Sequence, residues 1–317
     1  MDELISANLN WGLICLTYTG AGILGNSSLF CLYNFSLLTM QVLRPIDLIL
    51  SQLVLANNLV LFSKGIPQTM AAFGLKSFLD NIGCKFVFYL HRVARGVSLS
   101  TTCLLSGFQA IKLCPSISQG MELRFRFPKY IGFCCFLCWI FPLLLNIFIV
   151  MNVTHPRNSK NMSTEKTYRY CYSPIPETLL FSLHAVIFSF TDAMCLGLMV
   201  WTSGSMVFVL HKHKRRLQHI HSRRLSSKLS HEARATCTIL ILVSMFISFY
   251  CISSVLSFWI TQTVNPSQWL LNFSILVSSG FPTFSSFVFL FSDIRVSRFC
   301  FACWTRKTNA PATVSGL

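Results

Sequence analysis

The chain of 317 residues is 53% hydrophobic and 14% aromatic, with a mean hydropathy of +0.58 and only 11% charged residues. An average soluble protein is about a quarter charged, so an ordinary soluble domain is excluded, and so is a disordered chain. The net charge of +16 and pI near 9.5 would suit a nucleic-acid binder, but such proteins do not carry this much apolar sequence. A membrane helix needs about 20 apolar residues, because the hydrocarbon core is about 30 Å thick. Residues 4–43, 130–156 and 235–292 hold no Asp, Glu, Lys or Arg, and the last stretch is split by the turn-rich run from Thr261 to Gln268. Seven spans are predicted, at about 10–34, 46–73, 82–112, 130–151, 180–211, 234–260 and 269–291. The third and fifth exceed the bilayer's demand, so they tilt or project beyond it. Met1-Asp2-Glu3 lacks the basic start of a signal peptide. No internal repeat is evident, so a repeat-built transporter gains no support. The expectation is an all-α membrane protein, a single seven-helix domain over 1–317 with a short polar tail from about 292.

Seven spans put the two ends on opposite sides, and the charge sorts between them. The linkers on the side of the C-terminus carry +14, those on the side of the N-terminus carry zero, and the remaining +2 lies within spans. Cytoplasmic loops are enriched in Lys and Arg, so the N-terminus is expected outside and the C-terminus in the cytoplasm. The loop 152–179 agrees: Asn152-Val-Thr154 and Asn161-Met-Ser163 are N-glycosylation patterns that make sense only on the outer side. Of the 14 cysteines, most lie in apolar helices, where they act as small hydrophobes. On the outer side Cys84 and Cys171 are free to pair, which would pin the longest outer loop over the bundle. Two reduced thiols are the alternative.

Seven helices, an outer N-terminus and this cysteine arrangement resemble a G-protein-coupled receptor. Gly25-Asn26, Leu55-Ala56, Trp139 and Pro282 are general marks of the rhodopsin-like class. The third span nevertheless ends "LLSGFQAIKLCP" without D-R-Y, the sixth lacks C-W-x-P, and Phe281-Pro282 stands in place of N-P-x-x-Y. The strings "RPIDLILSQLVLANNLVL", "YLHRVARGVSLSTTCLLSGFQAI", "FVLHKHKRRLQHIHS" and "EARATCTILILVSMFISFYCISS" resemble the vomeronasal type-1 receptors, a family of pheromone receptors, over nearly the whole chain. The bitter-taste receptors are the runner-up. The resemblance implies a multi-pass plasma-membrane receptor that binds a small odorant or pheromone and activates a heterotrimeric G protein of the inhibitory type. The dense cationic loop 212–233 would itself steer toward anionic lipid headgroups or an acidic protein face.

His91 and Arg95 share a helix face at i and i+4, with Arg92 three residues before Arg95. Ionisable groups inside a membrane are expensive and by default face a polar cavity. Tyr89, His91, Arg92, Arg95 and Lys64 are therefore the candidate ligand-binding residues, with Arg able to grip a sulfate or carboxylate in a bidentate pair. Acidic or sulfated steroid-like odorants would suit them. An internal bridge from Arg92 or Arg95 to Asp192 or Glu177 is the competing reading. Gln109, Lys112, Arg215, Arg216 and Arg234 are the candidates for facing the G protein.

Other motifs weigh less. His211, His213, His219 and His221 have no nearby acid or Cys to complete a metal site, so no metal is expected. Cys300-x-x-Cys303, beside Arg298 and Arg306, fits palmitoylation, with two free thiols as the alternative. Pro282, near Gly280, is the best hinge among the prolines within spans. No paired carboxylates, metal cluster or activated nucleophile suggests an enzyme, and no cofactor is implied. A small-solute transporter or channel would want paired acids or a continuous polar path at mid-membrane, where only Asp192 is plausible.

Overall fold

The computed structural model describes residues 2–39, 44–73, 75, 78–113, 121–152, 165–168, 171–174, 179–218, 223–263 and 267–292. Among these, seven helical rods follow one another: α1 (Asp2–Thr39), α2 (Pro45–Ala72), α3 (Asn81–Leu113), α4 (Met121–Asn152), α5 (Leu179–Gln218), α6 (Arg223–Gln262) and α7 (Gln268–Ser292). Local chemistry fixes several starts. Arg44 is extended, as a residue before proline must be, and Pro45 opens α2 where its missing N–H costs nothing. Asp80 caps α3 by accepting the Gly83 N–H at 2.7 Å. Ser267 does the same for α7, accepting from Leu270 at 3.3 Å.

Contacts between rods give their directions. Thr19 meets Gly65, and a bond joins Asn58 to Ser27, so α1 and α2 run antiparallel. Asn57 bonds Ser98, and Tyr89 and Ser100 reach Leu143 and Cys138, so α2, α3 and α4 alternate. Tyr18 reaches Leu276 while Gly25 meets Ser286, which sets α1 parallel to α7. The result is an up-and-down bundle with α3 inside it.

Six rods are long and apolar enough to cross a membrane; α3 is the exception. Its buried face runs from Val93 through Val97, Thr101 and Leu105 to Gln109, packed among α2, α4, α5 and α6. A helix shielded by its neighbours need not be apolar all round, which lets it carry Lys85, His91 and Arg95. The lipid-facing rods show the opposite pattern, with Trp201 71%, Phe208 69% and Leu144 65% exposed. That apolar surface requires lipid around it.

Helix limits depart from expectation at the basic end. Residues 212–218 and 223–233 are helical: α5 continues to Gln218 and α6 begins at Arg223. Likewise α4 begins at Met121, well before residue 130. Loss of hydropathy marks the edge of the bilayer, whereas Lys and Arg are good helix formers and carry the rods beyond it. The 152–179 segment also holds a hairpin, β1 (Glu165–Tyr168) against β2 (Cys171–Pro174), with Tyr168 opposite Cys171.

α2 is not uniform. Leu61–Gly65 is a π-helical turn, in which the Ile66 N–H reaches back to the Leu61 carbonyl. Pro67 follows directly and cannot fit behind a regular turn, because its ring would meet the carbonyl four residues earlier. The extra residue in the turn relieves that clash.

The main apolar core lies in the half of the bundle away from the chain's start. It gathers Leu29 and Tyr33 of α1, Ile49, Leu53 and Val54 of α2, Leu99 and Leu105 of α3, Met199 of α5, Leu242 of α6 and Phe289 of α7. Only small clusters occupy the other half among the described residues, around Cys84 and around Ala56, Val93 and Val97. That uneven filling leaves room for a cleft.

Candidate functional site

The cleft lies between α2, α3, α6 and α7, a narrow and partly open space with about 50 Å³ of room for the centres of water-sized molecules. Its polar wall is His91, Arg95 and Ser98 of α3, with Ser278 of α7 and Ser253 of α6. Its apolar wall is Phe246, Phe249 and Tyr250 of α6 and Val277 and Phe281 of α7. The aromatic rings brace one another: Phe246 stacks on Tyr250 at 5.8 Å and meets Phe281 edge-on at 4.7 Å.

The structure brings three of the five sequence candidates together. His91 and Arg95 line the cleft, as their i, i+4 spacing requires once that face turns inward. Lys64, carried on the π-turn, donates to Ser278 Oγ across the gap to α7. The other two face elsewhere. Tyr89 donates to the Leu143 carbonyl of α4 at 3.1 Å and packs near Trp139. Arg92 is exposed, with its guanidinium 5.6 Å from the Phe188 ring of α5.

Arg95 lies 4.6 Å over the ring of Tyr250, and the Tyr250 hydroxyl donates to Asp192 Oδ2 of α5. Arg95 thus meets the π face of the tyrosine, and Asp192 binds that ring's far end. Of the two acids within the spans, Asp47 belongs to the far end of α2, and Asp192 is linked to Arg95 through the Tyr250 ring; Glu177 lies outside the described residues. The local balance is cationic. His91 adds a buried Nδ1 with no hydrogen-bond partner among the described residues. A buried polar atom left unpaired costs about 1–3 kcal/mol.

Below the cleft a neutral network takes over. Ser98 donates to Asn57 Oδ1 at 2.9 Å, and Asn57 Nδ2 donates to Ser285 Oγ at 3.0 Å. Asn26 Nδ2 donates at 2.8 Å to the carbonyl of Pro282, the proline inside α7. Further along α3, Ser106 and Thr202 share a bond of 2.6 Å, and Gln109 Nε2 donates to Thr236 Oγ1 of α6 at 3.1 Å. Lys112, Arg215 and Arg234 are exposed at that end.

Cys84 is fully buried and disulfide-bonded. Asn161, Cys300 and Cys303 lie outside the described residues, as do the side chains of Asn152, Cys171 and Arg216. Sequence reasoning missed the α6 and α7 wall, because Phe and Val in an apolar helix give no contrast. Tyr250, with a polar atom inside a span, was the one available signal.

Comparison with known proteins agrees with this architecture. Residues 9–302 match the vomeronasal organ pheromone receptor family. The chain is 55% identical over 313 residues to vomeronasal type-1 receptor 1 of Gorilla gorilla gorilla and to that of Homo sapiens, covering 99% of this chain and 88% of each relative. Vomeronasal type-1 receptor 4 of Homo sapiens is 46% identical over 291 residues, 92% of this chain and 96% of the relative. Among solved structures, squid rhodopsin superimposes with a TM-score of 0.71 over 98% of this chain and 89% of its own at 11% identity, a likeness of fold. Bundle and sequence together place the chain in the vomeronasal organ pheromone receptor family, a multi-pass receptor of the plasma membrane and not an enzyme.

Proposed function

We propose that the cleft binds a small anionic pheromone or odorant and that occupancy activates a heterotrimeric G protein of the inhibitory type. The observation that carries the reading is the basic wall: Lys64, Arg95 and a His91 Nδ1 without a partner among the described residues converge, and Asp192 is engaged by the Tyr250 hydroxyl. Buried charge persists in an apolar interior when something pairs with it. A sulfate or carboxylate would supply the missing partner, and the aromatic wall would take the ligand's apolar body. The N-terminus faces outward and the basic ends of α5 and α6 face the cytoplasm, where Lys112, Arg215, Arg216 and Arg234 meet the G protein. On the outer side Cys171 is the partner of Cys84, and Asn152 and Asn161 carry glycans. Cys300 and Cys303 carry palmitoyl groups at the inner face.

The test is a ligand panel of matched acidic and neutral odorants, applied to cells that express the full chain with an inhibitory-type G protein. Concentration-dependent responses to acidic members are expected, lost on removal of that G protein. Equal potency of acidic and neutral partners would reject the anionic reading.

A further inference from the structure

The apolar wall of the cleft depends on a side chain that is not there. Gly280 sits in α7 between two pairs of lining residues, Val277–Ser278 and Phe281–Pro282. Three ring atoms of Phe249 lie within 2.9 Å of the point where a Cβ on Gly280 would stand. The ring therefore occupies the space that any other residue would fill. One turn further along the same helix is Phe284, on which it stacks at 5.8 Å and 15°. Phe284 is in turn held edge-on by Tyr18 of α1 at 5.9 Å. With α7 against the ring at Gly280 and at Phe284, the cleft that Phe249 also lines is open space beside it.

We infer that Gly280 and Phe249 together set the bulk of ligand the cleft accepts. Glycine at 280 lets the phenyl ring lie back against α7 and keeps that side of the cleft open. A methyl group there displaces the ring from α7 toward the cleft and narrows it, because the backbone behind it gives little. Gly280 is thus a selectivity residue without itself facing the ligand. The inference rests on the ligand-cleft reading above.

The experiment uses the full chain in native membranes with Ser253→Cys as a reporter on the cleft wall. Labelling by a small and a bulky methanethiosulfonate reagent is compared with the parent chain, which shows the background from native thiols. Gly280→Ala is expected to slow the bulky reagent about tenfold and the small one less than about twofold, the scale on which apolar pockets resolve added bulk. Phe249→Leu combined with Gly280→Ala restores the bulky rate. Equal slowing of both reagents overturns the inference, and so does failure of the double variant to restore the rate or absence of labelling before any further substitution. Should Gly280→Ala not reach the cell surface, Phe249→Leu alone decides: faster bulky labelling supports the wall, and an unchanged rate overturns it. A chain that responds to no ligand in the panel breaks the receptor reading and leaves the labelling result standing.

Discussion

The two halves of α3 solve the same problem in opposite ways. Both place polar side chains inside a bundle surrounded by lipid. The half that begins the helix carries ionisable groups: His91 and Arg95 on the cleft, Arg92 beside Phe188. The half that ends it carries none on its buried face, where Ser98, Ser106 and Gln109 each bond a neutral partner on α2, α5 or α6. Neutral bonds contribute about 1 kcal/mol each and can be exchanged cheaply when helices shift. A basic group held only against aromatic rings still gains from an anion. On the proposed reading, the basic groups mark where the ligand arrives, and the hydroxyl–amide contacts mark where the rods part.

The largest test of this contrast is Arg95→Ala. Removing one member of a buried ionic contact costs about 2–5 kcal/mol, so potency for acidic ligands should fall between about 30-fold and several thousand-fold while surface expression holds. An unchanged concentration–response curve would break the comparison at its charged end. Next comes Asn57→Ala, which takes the acceptor from Ser98 and one donor from Ser285, whose hydroxyl keeps the Pro282 carbonyl. One buried hydroxyl losing its acceptor should cost about 1–3 kcal/mol, visible as a lower melting temperature of the detergent-solubilised receptor. Melting at the parent temperature would mean the neutral network bears no load. A smaller effect is expected from Gln109→Leu, which removes the bond to Thr236. A loss of about 1 kcal/mol from the resting arrangement should raise ligand-free G-protein activation by at most about fivefold, measured as nucleotide exchange. Reduced exchange would show that the contact favours the active bundle instead. Arg92→Ala should matter least. Its exposed cation–π contact is worth about 0.5–1 kcal/mol, so potency should move less than about fivefold. A loss as large as that of Arg95→Ala would erase the distinction between the two arginines.

Much of the architecture was legible in the sequence because lipid imposes a blunt rule: about 20 apolar residues or no crossing. That rule found the spans and misjudged their ends, since Lys212 to Gln218 and Met121 to Lys129 extend helices after hydropathy has gone. It also fails α3 when applied alone, and only the neighbouring rods explain how such a helix is tolerated. The cationic residues were legible as charges in the wrong solvent. Their directions were only half so. Periodicity put His91 and Arg95 on one face, but which neighbour that face meets is decided by packing, and Tyr89 turned to α4. The aromatic wall and the Gly280 contact stayed hidden because a pocket lined by Phe within Phe-rich helices has no compositional signature.

The π-turn of α2 divides that rod into two azimuthal phases. Asn57, before the turn, is keyed to α3 and α7 by its amide, while Lys64, within it, is aimed at Ser278. One residue in a helix is worth about 100° of rotation. Deleting a single residue between 61 and 65 would therefore swing the Pro67 segment around the axis and leave Asn57 where it is. A one-residue change in chain length, rather than any change of side chain, would re-aim one end of the rod while its other end keeps time.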